Sequence, residues 1–326
     1  MGKKTIIVVW LVALALVSFR LADAQQPGKI ARIGVLRLGS PPEPQIDAFR
    51  QRLRDLGYVE GKNIAFEYRY ADGKLDRFPI LAAELVRLKV DVIFTGNTPA
   101  ALAAKKATTT IPIVVAGGSD PVATGLAASL ARPGGNITGI TVMNEELAGK
   151  RLELLKETTP KVSRIAVLWD SANPGTALVF KQTQAAAQEL GLQLQSLDVQ
   201  SVSDLEGSFK SATRSGAHAL DVLRSLLVAI QLRRIADFAV KNRLPSIHDR
   251  SDFVEAGGLM SYGANIADTS RRAAVYVDKI LKGTKPEDLP VERQMKFELV
   301  INLKTAKQIG VTIPQSVLFQ ADKVIR

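Results

Sequence analysis

The chain has 326 residues, of which 46% are hydrophobic and 23% are charged, and it contains no cysteine. The lack of cysteine excludes disulfides, thiolate metal sites, a cysteine nucleophile and a lipid-modified cysteine. The formal net charge is +11, but lysine and arginine are spread along the chain, without a dense basic run or interleaved aromatic residues. This pattern argues against nucleic-acid binding and indicates a solvated basic surface.

The first 24 residues have the three parts of a secretory signal peptide. Lys3 and Lys4 form a basic start, an apolar run extends from Thr5 to Phe19, and Ala22-Asp23-Ala24 has the small-x-small pattern of a cleavage site. A membrane anchor is the alternative, but the apolar run is shorter than the roughly 20 residues that a spanning helix needs. We therefore expect cleavage after Ala24 and export of a soluble chain.

In chain order, the first half alternates short apolar segments with amphipathic ones, which predicts alternating strands and helices. Glycine and turn residues are dense over Ala131–Gly139, which predicts a loop. The strands are predicted at Ile33–Leu36, Asn63–Tyr70, Val90–Phe94 and Ile111–Val115, and the helices at Gln45–Leu56, Phe78–Leu88 and Ala100–Ala107.

The second half shows the same alternation. Strands are predicted at Ile165–Trp169, Gln193–Val199, Ala219–Leu223, Leu244–Ile247, Leu259–Gly263 and Phe297–Ile301. Helices are predicted at Thr176–Leu190, Leu205–Arg214, Leu227–Lys241, Thr269–Leu281 and Lys304–Ile309.

Landmarks of the first half recur in the second half at nearly one offset. We interpret this recurrence as two copies of one unit, with the loop 131–139 at the seam. Because alternating strands and helices form parallel sheets covered on both faces, we expect an α/β fold of two doubly wound lobes. Ligands of such sheets bind beyond the carboxyl ends of the strands, so the cleft between the lobes is the predicted site. The matching pairs are Ile33/Ile165 and Asp120/Asp252 at 132 positions, Pro112/Pro245 at 133 and Gly57/Gly191 at 134.

Five segments, taken in order, carry a resemblance to a known family. They are Thr98–Ala107 (TPAALAAKKA), Ser119–Leu126 (SDPVATGL), Ala131–Gly139 (ARPGGNITG), Glu255–Gly263 (EAGGLMSYG) and Lys296–Ala306 (KFELVINLKTA). They resemble the periplasmic substrate-binding proteins of ABC transporters, in the group that includes tryptophan and other aromatic amino-acid binders. The resemblance implies the type I periplasmic-binding fold, in which two lobes joined by three crossovers close on a small molecule.

Carried onto this chain, the resemblance implies crossings near Ile140–Asn144, Tyr262–Asn265 and Lys285–Glu292. Lobe 1 would then contain residues 30–143 and 264–285, and lobe 2 residues 144–263 and 286–326. The resemblance also implies a periplasmic monomer that binds a small-molecule ligand and docks on an ABC transporter permease in the inner membrane. No cofactor, metal or nucleic acid is expected.

Polar residues at the strand ends are the candidates for ligand contact, because hydroxyls and free backbone amides at helix starts can hold a carboxylate. The predicted ligand-binding residues are Gly39, Ser40, Asn97, Thr98, Ser119, Asp120, Asp170, Ser171, Asn173, Arg224, His248, Asp249 and Tyr262.

Some of these residues have an alternative role. Arg224 can clamp a ligand carboxylate with two hydrogen bonds, or it can form an ion pair between the lobes or at the surface. Asp120 can contact the ligand or cap a helix. His248 ends a strand at the cleft, and His218 lies 30 positions away without a local carboxylate pattern, which gives no metal site. Arg224-Ser225 and His248 replace the Pro-Asp and the aromatic residue common in the group, which argues against an aromatic amino-acid ligand.

A nucleophile elbow, a kinase loop and a metalloprotease helix are all absent from the sequence. We therefore expect no enzymatic activity and no catalytic residues. The predicted function is that of the extracytoplasmic solute-binding component of an ABC transporter, with an amino acid or a small organic carboxylate as its ligand. A periplasmic sensing protein that uses the same cleft and an enzyme on the same fold are the alternatives.

Overall fold

Two β-sheets, each packed against helices on both faces, make up the structure, a computed structural model that describes residues 30–39 and 44–326. The predicted signal peptide and Ser40 lie outside these residues. The predicted α/β class with two doubly wound lobes is confirmed. Between residues 44 and 326, and over 30–39, no helix is long and apolar enough to cross a membrane.

Helices and strands alternate along most of the chain. The strands are β1 (Ala31–Arg37), β2 (Ile64–Tyr70), β3 (Val92–Thr95), β4 (Ile113–Ala116), β5 (Ile137–Thr141), β6 (Arg164–Trp169), β7 (Gln193–Asp198), β8 (Ala219–Val222), β9 (Ser246–His248), β10 (Met260–Ala264), β11 (Glu292–Arg293), β12 (Phe297–Asn302) and β13 (Lys323–Ile325). The helices are α1 (Pro44–Asp55), α2 (Phe78–Arg87), α3 (Thr98–Ala107), α4 (Ala148–Thr158), α5 (Pro174–Glu189), α6 (Asp204–Arg214), α7 (Leu226–Lys241), α8 (Ser251–Glu255), α9 (Ile266–Leu281), α10 (Leu303–Ile309) and α11 (Gln315–Gln320).

The two sheets share one topology. The first has the strand order β11-β5-β4-β3-β1-β2, and the second has the order β13-β12-β10-β9-β8-β6-β7. Within the described strands all pairs are parallel except β10 with β12. The shared order of five strands, with the first strand of each half between the second and the third, is what a duplicated unit predicts. The inner strands β3, β4 and β8 are wholly buried and apolar except for Thr95 and Asp221, as expected for parallel strands with helices on both faces.

The glycine-rich segment 131–139 lies inside the first lobe, so its predicted position at the seam between the lobes is wrong. Its last residues begin β5, which pairs with β4 in register from Ile137 opposite Ile113. Gly139 has φ +135°, and a Cβ there would lie 2.1 Å from the carbonyl oxygen of Val115. The glycine therefore belongs to a tightly paired strand, because only a residue without a side chain permits this approach.

Helix α4 occupies a stretch for which the sequence analysis predicts no element. It buries Leu152, Leu154 and Leu155 against the second sheet, and it also buries Arg151. The charged residues Lys150 and Arg151 interrupt the apolar periodicity that would otherwise indicate a helix.

The chain passes between the sheets at three places in the described residues. It leaves the first sheet after β5, with Met143 at φ +49°, and enters the second lobe through α4. It returns at Asn265, which separates β10 of the second sheet from α9, and α9 packs against α1. It leaves again over 294–296, between β11 of the first sheet and β12 of the second.

The third passage lies further along the chain than predicted. Glu292 and Arg293 are in parallel register with Ile140 and Thr141 of β5, so β11 is the edge strand of the first sheet. Residues 286–293 therefore pack with the first sheet, whereas the sequence analysis assigns them to lobe 2. A strand of two residues is too short to give a periodic pattern, which explains the misplaced boundary.

Candidate functional site

Three helices begin at the cleft between the two sheets, each directly after a loop from the carboxyl end of a strand. Asn97 caps α3 by accepting the amide of Ala100 at 2.9 Å, and Ser225 caps α7 by accepting the amide of Val228 at 3.2 Å. Asn173 caps α5 through the amide of Gly175 at 3.0 Å. Asparagine and serine are favoured caps because their side-chain oxygens satisfy otherwise unpaired amides. The positive ends of three helix dipoles therefore meet at one place.

Two adjoining cavities occupy the cleft. The small cavity has a volume of about 50 Å³, and the wide cavity has a volume of about 370 Å³. Both are lined by Asn97, Pro99, Asn173 and Arg224, which mark the junction between them. The small cavity is further lined by Thr98, Ser119, Asn144, Arg151, Thr176 and Asp249, and the wide cavity by Arg37, Gly39, Leu75, Ile230, His248, Arg250 and Asp252.

Polar contacts join the two lobes beside the small cavity. The Ser119 hydroxyl donates to the carbonyl oxygen of Gly175 at 3.3 Å, and the amide of Asp120 donates to Glu145 Oε1 at 2.8 Å. Arg293 of the first sheet also pairs with Glu146. These contacts leave the small cavity space for water but not for a solute, so the lobes are closed against each other at this point.

A buried ion pair lies on the second-lobe side of the cleft. Arg224 Nη2 is 2.5 Å from Asp249 Oδ2, which also accepts a 3.0 Å hydrogen bond from Asn144 Nδ2. Burial by itself would raise the pKa of the Asp249 carboxyl, but the guanidinium groups of Arg224 and Arg151 hold this pKa well below its usual range. Burial lowers the pKa of His248, and the neighbouring Asp249 carboxylate opposes this shift.

Two further charges are buried behind this pair. Arg151 is 1% exposed, and its one hydrogen bond within the described residues runs from Nη2 to the carbonyl oxygen of Asn144 at 3.3 Å. Asp221 on β8 is 0% exposed, and neither carboxylate oxygen has a hydrogen-bond partner in the described part of the chain. Burial raises the pKa of Asp221 to about 6, against the opposing effect of Arg151.

The structure brings most of the predicted ligand-binding residues to the two cavities. Asn97, Thr98, Ser119, Asn173, Arg224 and Asp249 line the small cavity, and Gly39 and His248 join Asn97, Asn173 and Arg224 in lining the wide one. Arg224 forms an ion pair, but with Asp249 of its own lobe and inside the cleft rather than between the lobes or at the surface, and it also lines both cavities.

Four predicted residues line neither cavity. Asp120 Oδ1 accepts the amides of Val122 and Ala123, so its side chain caps a turn. Asp170 accepts the amide of Ala172, and Ser171 bonds to Asp198. Tyr262 packs with the second-lobe core and against Phe297. Their side chains stabilise loops and the core, and the strand-end position alone does not separate these roles from ligand contact.

Several cationic and polar groups of the cleft were not predicted from the sequence. Arg37 ends β1 at the expected edge of the sheet, so its position carried a signal. The position of Arg151 gave no such signal, because this residue lies within α4 and not at the end of a strand, although it lines the small cavity. The other polar lining residues that were not predicted are Gln45, Asn144, Thr176, Ser225, Arg250 and Asp252.

Comparisons with known proteins identify relatives over nearly the whole chain. Residues 43–325 match the family model described as ABC transporter substrate binding protein. A tyrosine-binding protein of Clostridioides difficile (strain R20291) is 28% identical over 290 residues, which are 86% of this chain and 81% of that protein. The structure of an ABC domain in complex with L-Trp from Streptococcus pneumonia is 29% identical, with a TM-score of 0.85, and covers 90% of this chain and 99% of that one. The ligand-free, open structure of a substrate-binding protein from Clostridium difficile is 27% identical, with a TM-score of 0.66. The match covers 91% of this chain and 99% of that one.

Proposed function

Because the chain belongs to the family of ABC transporter substrate-binding proteins, we propose that it captures an amino acid or a small organic carboxylate in the cleft between its lobes. The observation that carries the ligand class is the meeting of three helix N-termini and Arg224 at the junction of the two cavities. Such a site favours an anionic group, because backbone amides and helix dipoles point at it. The bound solute is delivered to a membrane permease.

Two side-chain amides at the junction have N–H groups that are available for hydrogen bonds to a ligand. Asn97 and Asn173 use their Oδ1 atoms as helix caps, and within the described residues their Nδ2 atoms make no hydrogen bond. A ligand carboxylate at the junction would accept from these two amides and from Arg224. Hydrogen bonds to a charged group are each worth about 1.5–3 kcal/mol, enough to orient a small solute.

Lobe closure is the proposed mechanism of capture. The overall shape is more similar to the relative that holds L-Trp, at a TM-score of 0.85, than to the ligand-free, open relative, at 0.66. The direct contact of Ser119 with Gly175 is also one that opening of the cleft would break. We propose that ligand binding selects this closed arrangement, as in hinge closure of other two-lobe binding proteins.

The relatives support an amino acid as one member of the proposed ligand class. One is named for tyrosine and another holds L-Trp in its structure. We further propose that the protein is exported by residues 1–24, acts as a monomer in the periplasm, and binds its solute without changing it chemically.

Native mass spectrometry of the freshly purified protein tests the proposal most directly. A small molecule that is retained in the native spectrum and released on denaturation would establish solute binding and identify the ligand class. A thermal-shift screen of amino acids and organic acids is the second measurement. Ligand at 100 times its dissociation constant should stabilise the fold by about 2.7 kcal/mol. A protein that carries no solute and is stabilised by no member of either class would contradict the proposal.

A further inference from the structure

We infer that the cleft is built for an organic anion whose carboxylate is not accompanied by an ammonium group, with an apolar body. The inference rests on the proposed function, since it narrows the ligand class of the same site. It separates the amino acids from their des-amino counterparts, which the family membership alone does not do.

The described residues of the two cavities carry more positive than negative charge. Four arginines line them, Arg37, Arg151, Arg224 and Arg250, against two carboxylates, Asp249 and Asp252. The three helix N-termini at the junction add positive potential. This positive potential stabilises the carboxylate of a bound zwitterion but destabilises its ammonium group. A bound anion without an ammonium group is only stabilised.

The carboxylate of the small cavity is already neutralised. Asp249 has a side chain that is 5% exposed, an ion pair with Arg224 at 2.5 Å and a hydrogen bond from Asn144 at 3.0 Å. Its remaining oxygen, Oδ1, is inaccessible to solvent and lies 3.3 Å from His248 Nε2. A ligand ammonium would have to displace the Arg224 guanidinium, and the displaced cation would lose its buried counter-charge.

The carboxylate of the wide cavity is occupied in the same way. Asp252 Oδ2 accepts from both Nε and Nη2 of Arg250, at 2.9 and 2.5 Å. Its other oxygen, Oδ1, is shielded from solvent. Each of the two described carboxylates is therefore already paired with an arginine, whose charge an incoming ammonium group would oppose.

Arg151 provides the independent observation that points to an anion. Its guanidinium lies at the wall of the small cavity at 1% exposure, and its Nε and Nη1 atoms have no hydrogen-bond partner among the described residues. Asp221 and Asp249 both interact with it electrostatically, but within that part of the chain neither carboxylate lies at ion-pair distance from it. Two unsatisfied guanidinium donors in a buried position are costly, and an anion at the junction could accept hydrogen bonds from them.

The wide cavity provides the complementary surface for an apolar body. Leu38, Leu75, Ala229, Ile230 and Leu232 contribute apolar side chains to its lining. Its volume of about 370 Å³ accommodates a branched aliphatic chain or a single ring system. The ligand would place its carboxylate at the junction and its body in the wide cavity.

Matched ligand pairs test the inference on the purified protein by isothermal titration calorimetry. The probes are 4-methylpentanoate against L-leucine, 3-phenylpropanoate against L-phenylalanine and 3-(indol-3-yl)propanoate against L-tryptophan. The members of each pair differ only in the α-ammonium group. We expect at least one des-amino acid to bind, and to bind at least about tenfold tighter than its amino acid.

Two outcomes overturn the inference. An amino acid that binds as tightly as its des-amino partner, or tighter, overturns it while leaving the proposed function intact, because a solute is still bound. Failure of all six probes to bind also overturns it, and the co-purified solute from native mass spectrometry then decides the proposed function separately. Arg224→Met should weaken a bound des-amino acid at least tenfold, whereas Arg233→Met, on the exposed face of α7, should leave its affinity unchanged.

Discussion

The Ser119 hydroxyl meets the carbonyl oxygen of Gly175 across the cleft, and a side chain at position 175 would occupy the same space. A Cβ built on Gly175 lies 2.8 Å from Ser119 Oγ. The glycine at the start of α5 therefore sets how closely the two lobes approach each other.

Gly175→Ala is expected to hold the cleft partly open and weaken ligand binding. Overpacking of this kind costs about 1–3 kcal/mol, which corresponds to a loss of affinity of roughly fivefold to a hundredfold. Calorimetry with the co-purified ligand measures the loss, and small-angle scattering measures the fraction of closed molecules.

Two variants control for effects of the added methyl group itself. Gly149→Ala places a Cβ 3.7 Å from the nearest atom, an ordinary contact, and should leave affinity unchanged. Ser119→Ala in the Gly175→Ala background removes the clashing oxygen and should restore part of the loss, as a double-mutant cycle would record. Wild-type affinity in Gly175→Ala alone would show that closure does not depend on this contact.

Arg224→Ala is expected to weaken binding of a carboxylate ligand by about 1.5–3 kcal/mol, the range for hydrogen bonds to charged groups. It should also destabilise the ligand-free protein, since it leaves the buried Asp249 without its counter-charge. The double variant Arg224→Ala/Asp249→Asn removes both charges and should recover stability but not affinity. Chemical denaturation and calorimetry distinguish the two effects, and unchanged affinity in the single variant would remove Arg224 from the ligand site.

Export is expected to depend on the residues before Gln25. Ala24→Phe should block cleavage, because signal peptidases require a small residue there, whereas Gln26→Phe should be processed normally. N-terminal sequencing and fractionation of the expressing cells measure both outcomes. A mature protein that retains residues 1–24 would contradict the predicted cleavage site.

The alternation of elements was predictable because it depends on local hydrophobic periodicity. The strand that begins at Ile137 was not predictable, since its Gly139 also fits a loop, and only the approach of Gly139 to Val115 shows that this residue belongs to a sheet. Likewise β11 has two residues, and its place in the first sheet depends on its register with Ile140 and Thr141. Both misplaced segments are held by long-range pairing, which a single sequence does not display.

The candidate site was likewise predictable from the sequence only in part. The carboxyl ends of strands predicted Asn97, Ser119 and Asn173 at the cleft, because topology alone places strand ends together. Side-chain direction was not predictable from topology, so Tyr262 was assigned to the ligand although it packs into the core. Arg151 approaches the cavity from a helix rather than from a strand end, and no sequence pattern relates it to the other cleft residues.

Asp221 is expected to make the protein more stable as the pH falls from about 6 towards 4. Burial raises its folded-state pKa to about 6, whereas an unfolded aspartate has a pKa of about 3.9. Between these values the folded state binds more protons than the unfolded state, so stability decreases as pH rises, by about 3 kcal/mol in total. Asp249 has the opposite effect on stability, because its folded-state pKa is lowered. It makes the protein less stable as the pH falls, but only below the ordinary aspartate pKa.

Asp221→Asn should therefore raise the free energy of unfolding at pH 7 by up to about 3 kcal/mol and flatten the dependence between pH 4 and 6. Asp237→Asn, whose side chain is 67% exposed on α7, is the matched control and should leave the pH profile unchanged. Urea denaturation at half-unit pH intervals measures all three proteins. If the Asp221→Asn and wild-type profiles run parallel, the Asp221 carboxyl titrates alike in the folded and unfolded chains, and its burial has no electrostatic cost.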